Sequence, residues 1–274
     1  MNPTDEAAPA AHPARVIKLV VAYDGSSYHG WQHQPGQRTI QGVIEAAILK
    51  ITGEAAHAAS SGRTDAGVHA LAQVVSFETH SKLPAHVLGR AINSELDDDV
   101  TVRQADDAPS GFHALTSAVK KRYRYVIHDG PFRDIFRRQY VWHFHGRLDA
   151  EAMHRAARAW IGTHDFASFE NQGSPRQTST RTVFDASVER GAGEGGSLIS
   201  FEVEADGFLY NMVRNMAGTL VEVGRGAKSA AWAADVLAAR NRRKAGMTAP
   251  PQGLFLVKVD YGRDESERKK RADE

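Results

Sequence analysis

The residues best suited to chemistry lie in a ten-residue string at positions 61–70, which reads SGRTDAGVHA. Gly62 and Gly67 permit positive φ angles and close backbone approach, so the string is predicted to form a tight loop. Such a loop presents the carboxylate of Asp65, with Arg63 two residues before it. An acid on a loop beside a strand is a common catalytic placement, but the same residue types also make ordinary turns and helix caps.

Two more positions could serve such a carboxylate. Residues 119–128 read as a strand, and strand alternation puts Tyr123 and Tyr125 on one face and the neighbouring arginines on the other. We interpret Tyr125 as a core aromatic residue. Arg214 lies in an otherwise apolar helical segment, where an unpaired charge is costly, so a partner carboxylate is implied unless the arginine faces solvent.

Two weaker candidates remain. Leu254 begins an apolar run at residues 254–259 that is typical of a short buried strand. The 13 histidines suggest a zinc site, because His143 and His145 would share one face of a strand. The chain has no HExxH motif and no cysteine, so we predict a structural or surface role for these histidines and no metal site.

The composition is that of a globular protein, with 42% hydrophobic and 24% charged residues among 274. The absence of cysteine excludes disulfides, thiolate metal sites and a cysteine nucleophile. No apolar run approaches a membrane span and no signal-peptide stretch is recognisable, so a cytoplasmic location is predicted. The 34 basic and 33 acidic residues give a net charge of +1, so any RNA-binding charge must be concentrated locally.

The elements that must position these residues fall into two α/β units. Residues 1–14 are predicted to be a disordered extension, residues 15–114 and 115–263 two domains, and residues 264–274 a charged tail. In the first domain we predict strands at 16–23, 73–79 and 100–104, with helices at 39–51 and 84–92. The 73–79 strand is predicted to be half-buried. In the second domain we predict strands at 119–128, 140–144, 180–189, 197–204 and 254–259, and helices at 149–161, 209–223 and 230–239. This order favours helices layered against a sheet in each domain.

The 61–70 string resembles the catalytic motif of the tRNA pseudouridine synthase A family. Other segments resemble that family in the same order, so the likeness spans about residues 15 to 262. These segments are AYDGSSYHGWQ at 22–32, TIQG at 39–42, FHA at 112–114, KRYRY at 121–125, HDFASF at 164–169, DGFLYNMVRNMAG at 206–218 and GLFL at 253–256.

The resemblance implies an α+β fold of two layered RNP/ferredoxin-like domains, with mainly antiparallel sheets joined around a central active-site cleft. It implies that Asp65 is the nucleophile, Tyr123 stacks on the substrate, and Arg214 pairs with Asp65. Arg63 would contact phosphate or wedge into the space left by a flipped base, and Leu254 would wall the uracil pocket. The sequence leaves open whether Asp65 attacks C1′ or the uracil ring.

The implied activity is isomerisation of uridine to pseudouridine at positions 38 to 40 of the tRNA anticodon arm. This reaction is redox-neutral and needs neither a nucleotide cofactor nor a metal, but the uridine must leave the stem. The implied partners are the tRNA, through its anticodon arm and body, and a second copy of the chain. Two alternatives are an RNA-binding module without catalysis and a carboxylate-dependent hydrolase, which would need a second acid near Asp65.

Overall fold

The computed structural model describes residues 13–173, 178–191 and 193–262. Most of the extension predicted at residues 1–14 and the whole tail predicted at 264–274 therefore lie outside the described residues. The division at residues 114 and 115 stays a prediction, because the sheet runs without a break through both halves of the chain.

The described chain forms ten strands and five α-helices. The strands are β1 (Arg15–Tyr23), β2 (Ala59–Ser60), β3 (His69–Thr79), β4 (Val100–Ala108), β5 (Lys120–His128), β6 (Trp142–His143), β7 (Gly162–Asp165), β8 (Thr180–Arg190), β9 (Leu198–Ala205) and β10 (Leu254–Asp260). The helices are α1 (Ile40–Thr52), α2 (Ala85–Asn93), α3 (Ala150–Arg158), α4 (Met212–Gly224) and α5 (Trp232–Ala239).

Both halves repeat one supersecondary pattern. The first half runs β1-α1-β2-β3-α2-β4, with β1 between β4 and β3 and with β2 on the far side of β3. Apart from the added elements β6, β7 and α5, the second half runs β5-α3-β8-β9-α4-β10, with the strands ordered β10-β5-β9-β8. Each half is therefore a βαββαβ unit of the ferredoxin-like kind. The predicted α+β fold with mainly antiparallel pairing is confirmed.

The last strand joins the two halves. β10 pairs in parallel with β3, where Leu256 faces Ala70, and antiparallel with β5, where Leu256 faces Tyr123. Leu256 is fully buried. β10 thus holds β3, the strand that follows the 61–70 loop, beside β5 of the second half.

Local sequence explains most element boundaries. In β1 alternate side chains are buried, from Ile17 to Tyr23, as a period of two requires. Thr39 caps α1 by accepting a hydrogen bond from the Gly42 backbone N–H, and Gly53 ends that helix in the left-handed conformation. Asp149 caps α3 in the same way through the Ala152 N–H.

Strand β3 differs from its predicted form. It begins at His69, four residues earlier than predicted, and its side chains from Gln73 to Phe77 are buried on both faces. The second face is covered partly by the segment around the buried Ala114, whose N–H donates to Ser76 Oγ at 3.0 Å. The prediction of a half-buried strand was therefore wrong, because it did not include this covering segment.

Three other boundaries shift. α4 begins at Met212 and not at 209, because Asn211 adopts a left-handed φ of 60° that lies outside the helix. The strand predicted at 140–144 shortens to two residues, and β4 continues past its predicted end to Ala108 by pairing with β1. The short strands β2 and β7 were not predicted. Within the described ranges, no helix combines the length and apolar character needed to cross a membrane.

Candidate active site

The loop that carries Asp65 connects β2 to β3. Gly67 has a φ of +76°, as predicted, and allows the turn in which the Val68 N–H donates to the Asp65 carbonyl at 3.1 Å. Gly62 does not adopt the positive φ that glycine permits. A Cβ at Gly30 would lie 2.7 Å from the Thr64 carbonyl oxygen. The backbone around Gly30 therefore packs directly against the loop.

Asp65 pairs with Arg214 across the junction of the two halves. Arg214 Nη1 lies 3.1 Å from Asp65 Oδ2. The Arg214 side chain is 16% exposed and that of Asp65 is 31% exposed, so the pair is only partly open to solvent. The two residues are 149 positions apart, and the fold alone brings them together.

Two further acceptors fix the Arg214 guanidinium. Its Nε donates to the Ala249 carbonyl at 2.7 Å, and its Nη1 donates to Asn211 Oδ1 at 2.7 Å. The segment that carries Ala249 lies close to α4 because glycines line the contact: a Cβ at Gly218 would meet the Met247 carbonyl oxygen at 1.8 Å. Arg214 is therefore held at three sites before any substrate binds.

Tyr123 lies on β5 with its ring turned into the same region. It is 8% exposed and makes an edge contact with Phe208, with ring centroids 4.9 Å apart. Burial, with smaller contributions from nearby Tyr23 and Asp65, raises the pKa of Tyr123 above its ordinary value. Within the described residues its hydroxyl has no hydrogen-bond partner, so it is available to a ligand.

One cleft contains all five predicted site residues. It has a volume of about 1190 Å³ and is lined by Arg63, Asp65, Tyr123, Arg214 and Leu254, among others. The Arg63 side chain is exposed, and no residue of the described chain pairs with its guanidinium. Leu254 is 6% exposed and begins β10 beside Tyr125, which is fully buried as predicted.

Two stretches of the chain are rich in basic residues, 120–124 and 242–244, and several of these side chains are engaged by partners within the chain. On the face of β5 opposite Tyr123, Arg122 and Arg124 form ion pairs with Glu202 at 3.2 and 2.7 Å, and Lys120 pairs with Glu204 at 2.9 Å. In the second stretch, Arg242 hydrogen-bonds to Asn171, Asn215, Gly246 and Thr248, and burial lowers its pKa. These clusters contribute less free positive charge than the sequence suggests.

The histidines do not assemble into a metal centre within the described ranges, where no group of three or more metal-binding side chains occurs. The rings of His143 and His145 lie 4.5 Å apart, and His143 Nε2 contacts the Gly130 carbonyl oxygen at 3.0 Å.

Several contributors to the cleft were not predicted. The Ala249 carbonyl, which holds Arg214, carried no recognised signal, and Asn211 was quoted only as part of the segment at 206–218, although asparagine is among the residues that tolerate a left-handed φ. Phe208 was seen only as part of a motif. The buried side chain of Gln73, beneath the loop, was seen only as the start of a strand.

The arrangement provides an oriented carboxylate inside a cleft. Asp65 Oδ2 is engaged by Arg214, while Oδ1 accepts no hydrogen bond from the described residues, which leaves it accessible to a substrate. Glu45 also lines the cleft, but its Oε1 already accepts hydrogen bonds from the Ala58 N–H and Gln41 Nε2 at 2.9 and 2.8 Å. The site therefore offers the Asp65 carboxylate with one unengaged oxygen, an aromatic ring and an exposed arginine.

Comparison with known proteins bears on what such a site does. A family model described as tRNA pseudouridine synthase matches residues 19–115 and 156–262. The chain is 47% identical over 247 residues to a tRNA pseudouridine synthase A of Thermoanaerobacter sp. (strain X514), covering 90% of this chain and 100% of that protein. It is 44% identical over 247 residues to a tRNA pseudouridine synthase A of Acetivibrio thermocellus, with the same coverage. A chain in the crystal structure of a Cbf5-Nop10-Gar1 complex is 15% identical, with a TM-score of 0.35 over 90% of this chain and 60% of that chain.

Proposed function

The chain belongs to the tRNA pseudouridine synthase A family and is an isomerase of tRNA uridine, and from this premise we propose that Asp65 is its catalytic nucleophile. We further propose that its targets are the uridines at positions 38 to 40 of the anticodon stem-loop. The family resemblance of the 61–70 string supports both proposals. The observation that carries the first is the Asp65–Arg214 ion pair at 3.1 Å inside the cleft.

In this mechanism the target uridine leaves the stem and enters the cleft, since its reacting atoms are otherwise inaccessible. Tyr123 stacks on the uracil, and Leu254 walls the pocket. Arg63 lies at the exposed rim, where it contacts the phosphate backbone near the displaced nucleotide. Arg214 orients Asp65 so that Oδ1 faces the substrate.

The reaction leaves the elemental composition of the uridine unchanged. Asp65 Oδ1 bonds transiently to C1′ or to the uracil ring, the C1′–N1 bond breaks, and the uracil turns. C5 then forms the new bond to C1′, and the bond to Asp65 breaks so that the carboxylate is restored. The proton on C5 is released to a base or to water, and N1 gains a proton. No electron is transferred to or from the substrate. A nucleophile, a stacking surface and an oriented cation are the groups that this sequence of steps requires.

Tritium release tests the role of Asp65. A tRNA transcript labelled with tritium at uridine C5 is incubated with wild type, Asp65→Asn or Asp107→Asn, without added metal or cofactor. We expect release to fall about 10³-fold or more in Asp65→Asn, because its amide is a far weaker nucleophile. Asp107→Asn removes the ion pair between Asp107 and Arg15, which lies outside the cleft, and this variant is expected to keep wild-type release.

Filter binding of the same transcript accompanies the assay. We expect Asp65→Asn to keep wild-type tRNA affinity, and loss of affinity together with activity would indicate a misfolded variant. Tritium release by Asp65→Asn at the wild-type rate would disprove the nucleophile assignment. No release by any protein, with tRNA still bound, would instead support the RNA-binding alternative.

Transcripts with altered anticodon arms test the target positions. Cytidine replaces uridine at 38, 39 and 40, first one at a time and then together. We expect release to disappear only when all three positions lack uridine. Continued release from the triple variant would show that the targets lie elsewhere in the tRNA.

We also propose that the protein works as a homodimer. The family resemblance supports this, as do three exposed apolar side chains between β5 and β6: Phe132, Ile135 and Phe136 are 81%, 62% and 86% exposed. Clustered apolar side chains in water are typical of a protein interface. Sedimentation velocity of Phe136→Ser beside wild type tests this: we expect the variant to shift toward the mass of one chain, and a monomeric wild type at micromolar concentration would contradict the proposal.

A further inference from the structure

A buried hydrogen-bond network lies directly beneath the loop that carries Asp65. Its centre is Gln73 on β3, which has no exposed surface. Gln73 Nε2 donates to the Gly62 carbonyl at 2.8 Å, and Gln73 Oε1 accepts from Ser61 Oγ at 2.6 Å. One side-chain amide therefore fixes two consecutive residues of the loop through both its donor and its acceptor.

Tyr23 on β1 extends this network to the residue beside Asp65. Its hydroxyl lies 2.8 Å from Thr64 Oγ1, and Gln73 Nε2 lies 3.4 Å from the same hydroxyl. Tyr23 is 4% exposed, and burial raises its pKa to about 12, so the hydroxyl keeps its proton at neutral pH. The backbone of Thr64 is held as well, because its carbonyl accepts from the Trp31 N–H at 2.9 Å.

Within the loop, the residues that are hydrogen-bonded from beneath differ from the residues whose charged side chains reach the cleft. Ser61, Gly62 and Thr64 are bound from beneath through side chains or backbone carbonyls. Arg63 between them is exposed and unpaired within the described chain, and Asp65 turns toward Arg214 in the cleft. The loop is thus fixed on both sides of Arg63, while its two charged side chains project away from the anchors.

We propose that Gln73 and Tyr23 are positioning residues for Asp65, which rests on the proposed nucleophilic role of that carboxylate. Neither side chain lines the cleft, so they act through the loop and not on the substrate. A nucleophile displaced by a fraction of an ångström loses much of its rate advantage, and the second layer of hydrogen bonds is what prevents that displacement. Substrate affinity depends on other surfaces and is not changed by them.

Three variants test this role. Tyr23→Phe removes only the hydroxyl, Gln73→Met keeps the side-chain length without hydrogen bonds, and Tyr28→Phe removes a buried tyrosine hydroxyl that contacts Asp99 instead of the loop. Single-turnover tritium release, tRNA affinity and melting temperature are measured for each. We expect rates to fall about 10-fold in Tyr23→Phe and about 100-fold in Gln73→Met, with affinity within about twofold of wild type.

The control distinguishes positioning from stability. Tyr28→Phe should lower the melting temperature about as much as Tyr23→Phe but keep the wild-type rate. Equal rates for Tyr23→Phe and Tyr28→Phe would overturn the proposal, as would a loss of tRNA affinity that accounts for the slower turnover. Wild-type rates in the network variants beside an inactive Asp65→Asn would overturn the positioning role alone, whereas an active Asp65→Asn would overturn the nucleophile assignment.

Gln73→Glu adds a readout that a purely structural role would not give. An ionised glutamate at this position can accept from Ser61 but cannot donate to the Gly62 carbonyl, whereas a protonated one can do both. Burial raises the pKa of such a carboxyl. We therefore expect the rate of Gln73→Glu relative to wild type to rise as the pH is lowered. A ratio that does not change with pH would contradict the requirement for a donor at residue 73.

Discussion

At the scale of single residues, the site depends on how a cation is held. The guanidinium group of Arg214 donates hydrogen bonds to three acceptors: Asp65, Asn211 and the Ala249 carbonyl. Of these, Asn211 is also unusual in its backbone, with a φ of 60°. A residue in the left-handed region at a cleft is held there by its surroundings, and the hydrogen bond to Arg214 is part of what its side chain contributes.

Asn211→Gly is predicted to slow catalysis without unfolding the protein. Glycine accepts the left-handed φ at no steric cost but removes one acceptor from Arg214. A hydrogen bond to a charged group contributes about 1.5–3 kcal/mol, so we expect single-turnover release to fall about 10-fold or more. Asn211→Asp keeps an acceptor and serves as the comparison variant. A wild-type rate in Asn211→Gly would show that Asp65 and Ala249 suffice to orient Arg214.

At the scale of elements, sequence periodicity predicts the long strands and helices well. β1, β5 and α1 follow from alternating or helical spacing together with recognisable caps such as Thr39. The strands β2 and β7 have two and four residues, too few for a period, and exist because neighbouring strands pair with them. β3 begins earlier than its pattern indicates because β10 pairs with it from nearly 200 residues further along the chain.

The candidate site divides in the same way. The family resemblance identifies Asp65, Arg63, Tyr123, Arg214 and Leu254, and the fold brings all five to one cleft. The Ala249 carbonyl could not be predicted, because every residue has a carbonyl and only tertiary packing selects one. Gln73 could not be recognised as a support because its role depends on the tertiary contacts that place Ser61, Gly62 and Tyr23 around its side chain. The sequence thus predicts the residues that line the cleft better than the supporting groups, the Ala249 carbonyl and Gln73, that hold those residues in place.

At the scale of the whole molecule, the question is how a chain of net charge +1 binds a polyanion. Charge on the face of β5 away from the cleft is largely compensated, since Arg122, Arg124 and Lys120 pair with Glu202 and Glu204. Arg63 in the cleft has no such partner within the described residues. The position of unpaired charge, and not its total, therefore determines where phosphate can bind.

The salt dependence of tRNA binding tests this distribution with two arginines of opposite placement. A phosphate contact releases counterions, so its loss reduces the slope of log affinity against log salt concentration by about one. We expect Arg63→Gln to produce that reduction and Arg124→Gln to leave the slope unchanged, because Arg124 already pairs with Glu202 at 2.7 Å. Titrations at several potassium chloride concentrations measure both. An equal reduction of the slope in the two variants would mean that tRNA also contacts the face of β5 away from the cleft. Weaker tRNA binding by Arg63→Gln at an unchanged slope would mean that Arg63 stacks in place of the flipped base.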